Sequence, residues 1–253
     1  SPNDMKRRFV RLINEEIRNK RAGKPAYIMV KINHITDPIM VKKLYEAATN
    51  GVRIDLVVRG NCSLCTDAPG TNGNIRINGI IDRYLEHSRI FLFANGGDEK
   101  MFIGSADWMP RNLDNRVEVV TPVYDPEIKA DLRRVVEYGL LDTLQGRKVD
   151  GSGKNEPWTT DENIPFRSQE ALYNYYLEKN EEDEKEKGPH PGDRLRGDRH
   201  RIERRPPTDQ EKEQQDEHVR QAPVAPCPVA ARFRRILDWQ TLRQEGGESH
   251  SVD

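Results

Sequence analysis

Six polar side chains stand out in the stretch EHSRIFLFANGGDEKMFIGSADWMPRNLDNRVEV, residues 86–119: His87, Ser105, Asn112, Asn115, Arg116 and Glu118. Each falls at the end of a run that otherwise reads as buried strand. Arg89 follows His87 by two residues, which puts both on one face of an extended chain. An imidazole can act as nucleophile or general acid, cations neutralise phosphate oxygens, and a carboxylate orients an imidazole through its ring N–H. The set therefore suits phosphoryl chemistry.

Strands and helices must bring these residues together. Met5, Phe9, Leu12, Ile13 and Ile17 recur at helical spacing over residues 3–21, with Asn3 or Asp4 available as N-cap. AYIMVKI (26–32) reads as a strand. DPIMVKKLYEAATNG (37–51) reads as a helix capped by Asp37, with Pro38 in its first turn and Gly51 as its stop. VRIDLVVRG (52–60) is the next strand, and this order implies a parallel pair in an α/β sheet with a right-handed crossover. Residues 60–74 are loop by composition, and 75–87 read as a short strand leading into a helical turn. RIFLFA (89–94) and KMFIGSA (100–106) flank NGGDE, a hairpin signal, so Gly96 and Gly97 are turn residues. RVEVVTPV (116–123) reads as a strand with Arg116 and Glu118 on one face, and 125–144 as a helix capped by Asp125.

The chain has 253 residues, a net charge of −1, 35% hydrophobic and 33% charged residues. Globular domains average roughly 45–50% and 25%, so part of this chain must be strongly polar. Balanced charge gives no bulk argument for nucleic acid, and any anion site has to come from local clustering of Arg and Lys. Cys62, Cys65 and Cys227 do not form a disulfide framework, and the lone C-x-x-C lacks the second pair of a zinc site. No apolar run approaches the ~20 residues that span a bilayer. The default setting is soluble and cytoplasmic, with membrane-peripheral association as the variant. The start, SPNDMKRRFV, lacks an initiating Met and an apolar leader core, which reads as a fragment of a longer protein.

Three domain segments follow. Residues 1–147 form the compact unit. Residues 148–180 are an extension with a docking helix in NIPFRSQEALYNYYLEKN (163–180). Residues 181–253 are a mostly disordered charged tail, because its polar composition cannot offset ordering entropy, with a short amphipathic helix at 229–244.

H-x-R at His87 and Arg89, G-S-A-D at 104–107 and N-x-x-N at 112–115 with Glu118 resemble the second half-motif of the phospholipase D superfamily. That pattern has H-x-K, then G-S-x-N and a glutamate; here Arg89 replaces the lysine and Asp107 the first asparagine. One branch is closer still. KINHITDPIMVKKLYEAATNGVRIDLVVRGNCSL, RYLEHSRIF, GSADWMPRNLDNRVEV and PVYDP together resemble the C-terminal catalytic region of the polyphosphate kinase family. The resemblance implies an α/β, phospholipase D-like mixed sheet flanked by helices, followed by a long polar C-terminal tail.

It also implies reversible transfer of the terminal phosphate of ATP to polyphosphate through a phosphohistidine on a preceding domain absent from this chain. Arg59 and His87 match nucleotide-contacting positions of the family, Arg116 a residue of its polyphosphate path, and Glu118 the carboxylate beside the histidine. His87 and Glu118 would be catalytic. Arg111, Arg89 and Lys31 are assigned to polyphosphate on charge and location, with Asn33 beside them. Glu118 could instead form an ordinary salt bridge with Arg116 or Arg111. The implied cofactor is Mg²⁺, held by ligands outside this chain, and no metal site is expected within it. The implied partners are ATP or ADP, inorganic polyphosphate, the preceding catalytic domain and a second copy in a homo-oligomer, with no nucleic acid. The fragment alone would be inactive. Two rivals stay open: a phosphodiesterase or nuclease of the phospholipase D type, and a non-catalytic polyphosphate-binding module.

Overall fold

The structure, a computed structural model, describes residues 4–160 and 164–187. Its helices are α1 (Met5–Arg21), α2 (Pro38–Thr49), α3 (Pro126–Leu141) and α4 (Ser168–Lys187). Its strands are β1 (Tyr27–Ile32), β2 (Arg53–Val58), β3 (Ile75–Ile80), β4 (Ile90–Phe93), β5 (Lys100–Gly104), β6 (Val120–Val123) and β7 (Gly146–Lys148). Among the described residues these strands form one mixed sheet in the order β6-β5-β4-β1-β2-β3-β7. β1, β2 and β3 are parallel, and β4, β5, β6 and β7 add antiparallel at the two sides. This is the expected mixed α/β sheet flanked by helices.

Period-two alternation sends side chains to two cores. Ile28, Val30, Ile54, Leu56, Phe91 and Phe93 pack with Phe9, Ile13 and Ile17 of α1 and Met40 and Leu44 of α2. Met29, Val57, Ile90 and Leu92 pack with Val136 and Leu140 of α3. Trp108 joins the first core, fully buried and stacked on Phe91 at 5.5 Å with Phe9 edge-on at 5.4 Å. Its backbone carbonyl accepts from Thr36 and Asp37 N–H at 2.8 and 2.9 Å, fixing the loop after β5 against the start of α2.

Caps behave as their chemistry predicts at α2 and α3, where Asp37 and Asp125 each accept two backbone N–H groups and proline occupies the first turn. At α1 the Asp4 side chain makes no cap and pairs with Arg7 and Arg8 instead.

The helical turn expected after β3 does not form, and residues 81–89 run without regular structure into β4. The expected strand at 116–123 begins only at Val120, because a π-helical turn occupies 111–115. β7 was not legible, since Gly-Arg-Lys carries no apolar alternation. It pairs with β3, and two buried polar groups order the turn that leads into it: Asn78 donates to the carbonyls of Gly139 and Asp142, and Asp142 accepts from Gln145 N–H and from Ser168 N–H and hydroxyl. Glycine is required at 146, where a Cβ would meet the Asp142 carbonyl at 2.1 Å.

α4 docks on α3 through Tyr175 and Lys179, both bound to Asp131, and through Arg134 over the Tyr175 ring at 4.0 Å. It runs to Lys187, past residue 181 where the tail was expected to lose structure; Glu and Lys are good helix formers. The remaining tail, including the expected helix at 229–244, lies outside the described residues. No helix among the described residues is long and apolar enough to cross a membrane.

Glu16 of α1 is fully buried, and its carboxylate accepts from Asn95 N–H at 2.7 Å and Tyr27 N–H at 3.2 Å, tying α1 to the hairpin turn and to β1. Burial pushes its carboxyl up to about 7, although both backbone donors pull the other way. The folded state thus keeps a proton that the unfolded chain, with a carboxyl near 4.3, releases earlier. Stability from this group must fall as pH rises between those values. Relative to Glu16→Gln, the native protein is expected to lose roughly 2–3 kcal/mol between pH 5 and pH 8 in urea titrations. Parallel pH profiles for the two proteins would refute this.

Candidate functional site

The segment that carries His87 is held from both ends. Arg167, just before α4, makes a bidentate pair with Asp82 at 2.9 and 2.6 Å. Gln169 accepts from Tyr84 N–H and donates to the Tyr84 carbonyl and to Glu86 at 2.8–2.9 Å. His87 itself is exposed, where β4 begins.

From His87 a chain of hydrogen bonds runs across the ends of the central strands. Arg89 Nη1 donates to the His87 carbonyl at 2.8 Å and lies 2.9 Å from His87 Nδ1. Its Nε and Nη2 donate to the two oxygens of Asp107 at 3.2 and 3.1 Å, both residues being buried. Asp107 Oδ1 also accepts from the backbone N–H groups of Asn33 and His34 and from Asn33 Nδ2, at 3.1–3.3 Å. Asn33 Oδ1 then accepts from Arg59 Nε at 2.9 Å. Asn33 follows β1, Arg59 follows β2, Asp107 follows β5 and Arg89 precedes β4. Strand order alone gathers them.

This geometry sets the state of the imidazole. A guanidinium has five N–H donors and no acceptor, so Nδ1 of His87 must accept. In the neutral ring the proton then sits on Nε2. At Asp107 burial is the largest influence and raises the carboxyl, but the Arg89 hydrogen bond and charge with two backbone donors outweigh it and hold it below the usual range. Asp107 stays a carboxylate, and Arg89 stays turned inward.

The basic residues expected to meet phosphate, Arg59 for the nucleotide and the others for polyphosphate, divide into two groups. Arg89 and Lys31 are committed: Arg89 to Asp107, and Lys31, 5% exposed, to Glu86. Arg59, Arg111 and Arg116 are available. Arg59 uses only Nε, and Arg111 and Arg116 are exposed without a side-chain partner among the described residues. The expectation that Arg116 and Glu118 share a face is corrected. Residues 116–119 precede the pleated part of β6, leaving Arg116 exposed and Glu118 buried. Asn112 Nδ2 donates to Glu118 Oε1 at 2.6 Å, and the Ser105 hydroxyl donates to Oε2. The carboxylate thus organises the 105–118 loop, while Nδ1 of His87 is engaged by Arg89.

Sequence reasoning missed the partners: Glu86, Gln169 and the Asp107–Arg89 pair. The last had a signal, since the two departures from the superfamily pattern carry opposite charge. Cys65 donates to the Asp150 carbonyl at 2.9 Å and Cys62 is a free thiol pushed up by burial, so neither is an activated nucleophile. Among the described residues no group of three or more His, Cys, Asp or Glu side chains converges as a metal site would require.

Residues 1–169 match the family described as "Polyphosphate kinase C-terminal domain 2". The chain is 39% identical over 175 residues to polyphosphate kinase of Escherichia coli K12, covering 69% of this chain and 25% of that protein. It is 40% identical over 188 residues to polyphosphate kinase of Vibrio vulnificus YJ016, covering 74% and 27%. Among solved structures, polyphosphate kinase from Porphyromonas gingivalis superposes with a TM-score of 0.67 at 42% identity, over 70% of this chain and 27% of that one. The chain spans about a quarter of the length of these relatives.

Proposed function

The chain belongs to the polyphosphate kinase family, matching its C-terminal domain 2, and from that premise we propose that it supplies half of a phosphoryl-transfer site. The substrates are ATP and inorganic polyphosphate, and the other half comes from a preceding domain that carries the nucleophilic histidine. In the forward direction the bond from the γ-phosphorus to the β,γ-bridging oxygen breaks as a P–N bond forms on that histidine. The P–N bond then breaks as a terminal oxygen of the polymer attacks, and ADP leaves.

The observation that carries this reading is the hydrogen-bonded chain His87, Arg89, Asp107, Asn33, Arg59. It fixes a hydrogen-bond donor, His87 Nε2–H, and a phosphate-binding fork, the two Nη groups of Arg59, in one frame. Arg59 pairs with phosphate oxygens of the nucleotide. Arg116 and Arg111 meet the polymer, and Glu118 acts through the 105–118 loop that holds them. His87 Nε2–H donates a hydrogen bond to the leaving or bridging oxygen and stabilises the charge that develops there, keeping its proton. Mg²⁺ would neutralise phosphate charge when bound with nucleotide. On the family likeness its ligands are assigned to the rest of the enzyme.

The chain by itself lacks the nucleophile and does not synthesise polymer; the full enzyme works as a homo-oligomer in the cytoplasm. A diesterase reading loses its second phosphate-binding cation, because Arg89 is consumed by Asp107.

The test is kinetic. In the intact enzyme Arg59→Ala is expected to raise KM for ATP by about 10–100-fold, the worth of one charge-assisted phosphate contact. Unchanged ATP kinetics would remove Arg59 from the site.

A further inference from the structure

We propose that the groove beside Arg59, toward the β7 side of the sheet, is a second phosphate subsite, which holds phosphates of the polymer several units away from the reacting one. The identity of this ligand rests on the function proposed above; the groove itself rests on geometry.

Two clefts meet at Arg59. The first, next to Lys31, Asn33, Glu86 and Ser88, encloses only about 10 Å³ and has no room for a chain. The second shares Val58, Arg59 and Ile80 with it and opens to about 340 Å³ along Gly79, Arg147 and Lys148, with Gln145 and Asn155 on its walls. Space for an extended ligand next to Arg59 therefore lies on this side.

Its charge is one-sided. Among the described residues Arg59, Arg147 and Lys148 line it, and no Asp or Glu does. The Arg147 guanidinium donates to the Gly146 carbonyl at 2.8 Å, and Lys148 has a distant carboxylate in Glu156 at 3.6 Å, with both side chains of that pair more than 40% exposed. Neither contact neutralises the groove, because an exposed pair of that kind is worth little. A linear polyanion of tetrahedral phosphates offers one oxygen after another to such a row, whereas a compact anion can use only one end of it.

The backbone is built to keep the groove open. Across the sheet Val58, Gly79 and Arg147 lie side by side in register. A Cβ at Gly79 would come within 2.8 Å of Val149 Cγ2, so glycine both lets β7 pack and leaves the floor bare. The antiparallel ladder with β3 and the Lys148 N–H, donating to the Glu156 carbonyl at 2.9 Å, set Arg147 and Lys148 in place. Trp158 locks the returning strand, its backbone N–H donating to the Gly146 carbonyl and its indole N–H to the Leu140 carbonyl. So much buried polar structure under a three-residue edge strand marks it as a platform, with cations as its exposed product.

Calorimetric titration of the intact enzyme, without Mg²⁺, with ATP and with long-chain polyphosphate, at one ionic strength, tests the assignment. Arg147→Gln/Lys148→Gln is expected to weaken long-chain polyphosphate at least about tenfold and ATP less than about twofold, as loss of two charge-assisted contacts to the polymer alone would. Lys148→Gln, altering one exposed side chain, is expected to give an intermediate loss with unchanged thermal stability. Unchanged polyphosphate affinity in both variants overturns the subsite. Equal losses for ATP overturn its assignment to the polymer, leaving a nucleotide site. If the native enzyme binds neither ligand, the proposed function falls together with the subsite; binding that both variants retain removes only the subsite.

Discussion

His87→Ala in the intact enzyme is expected to slow ATP-driven polymer synthesis by about 10²–10³-fold, the usual worth of one preorganised hydrogen-bond donor aimed at developing charge. The loss should fall mainly on kcat, because Arg59 and the other arginines still hold the phosphates while the donor that acts as charge develops is gone. Arg89 touches no substrate in this reading. It positions His87 by donating to Nδ1 and to the backbone carbonyl of the same residue. Nitrogen-15 spectra of histidine-labelled chain should therefore show His87 in the Nε2–H form at neutral pH. That signature should disappear in Arg89→Met, a change that a purely structural arginine would not cause. Synthesis at the parent rate in His87→Ala would end the assignment, and an Nδ1–H ring in the native chain would end the role given to Arg89.

Asp107→Ala is expected to cost about 3–5 kcal/mol in chemical denaturation, since it leaves the Arg89 guanidinium buried without a counter-charge. It also strips acceptors from Asn33 and His34 N–H, which lie on the path to Arg59. Removing both charges, as Arg89→Met/Asp107→Leu, should cost clearly less than the sum of the single changes, because the dominant penalty is the orphaned charge. The carboxyl is held below its usual range in the fold, so its contribution is present at neutral pH and lost as pH falls through the folded value. A loss under about 1 kcal/mol in Asp107→Ala would show that water reaches Arg89 and that the pair is not the anchor described here.

Much of the fold could be read from local pattern. The β1–α2–β2 unit, the β4–β5 hairpin and the Asp37 and Asp125 caps follow from alternation, helical spacing and capping chemistry, which act within a few residues. Where the reading failed, a distant contact had overruled local preference. Residues 81–89 stay non-helical because Arg167 and Gln169, some 85 residues on, hold Asp82 and Tyr84. β7 exists because the backbone of 146–148 pairs with the edge of β3, not because Gly-Arg-Lys favours a strand.

The functional positions divide in the same way. The sequence by itself determined which residues are candidates: His87, Arg59, Arg116 and Glu118 are singled out by residue type, spacing and family likeness. Only the tertiary structure decided which cations remain free to meet a phosphate. Arg89 and Lys31 looked as basic as Arg59 and Arg116, yet Asp107 and Glu86, 18 and 55 residues away, take them up. The reason is desolvation. A charge carried into the interior must find its opposite there, and which carboxylate arrives is set by strand order and loop path, neither of which is written in the spacing around the charge.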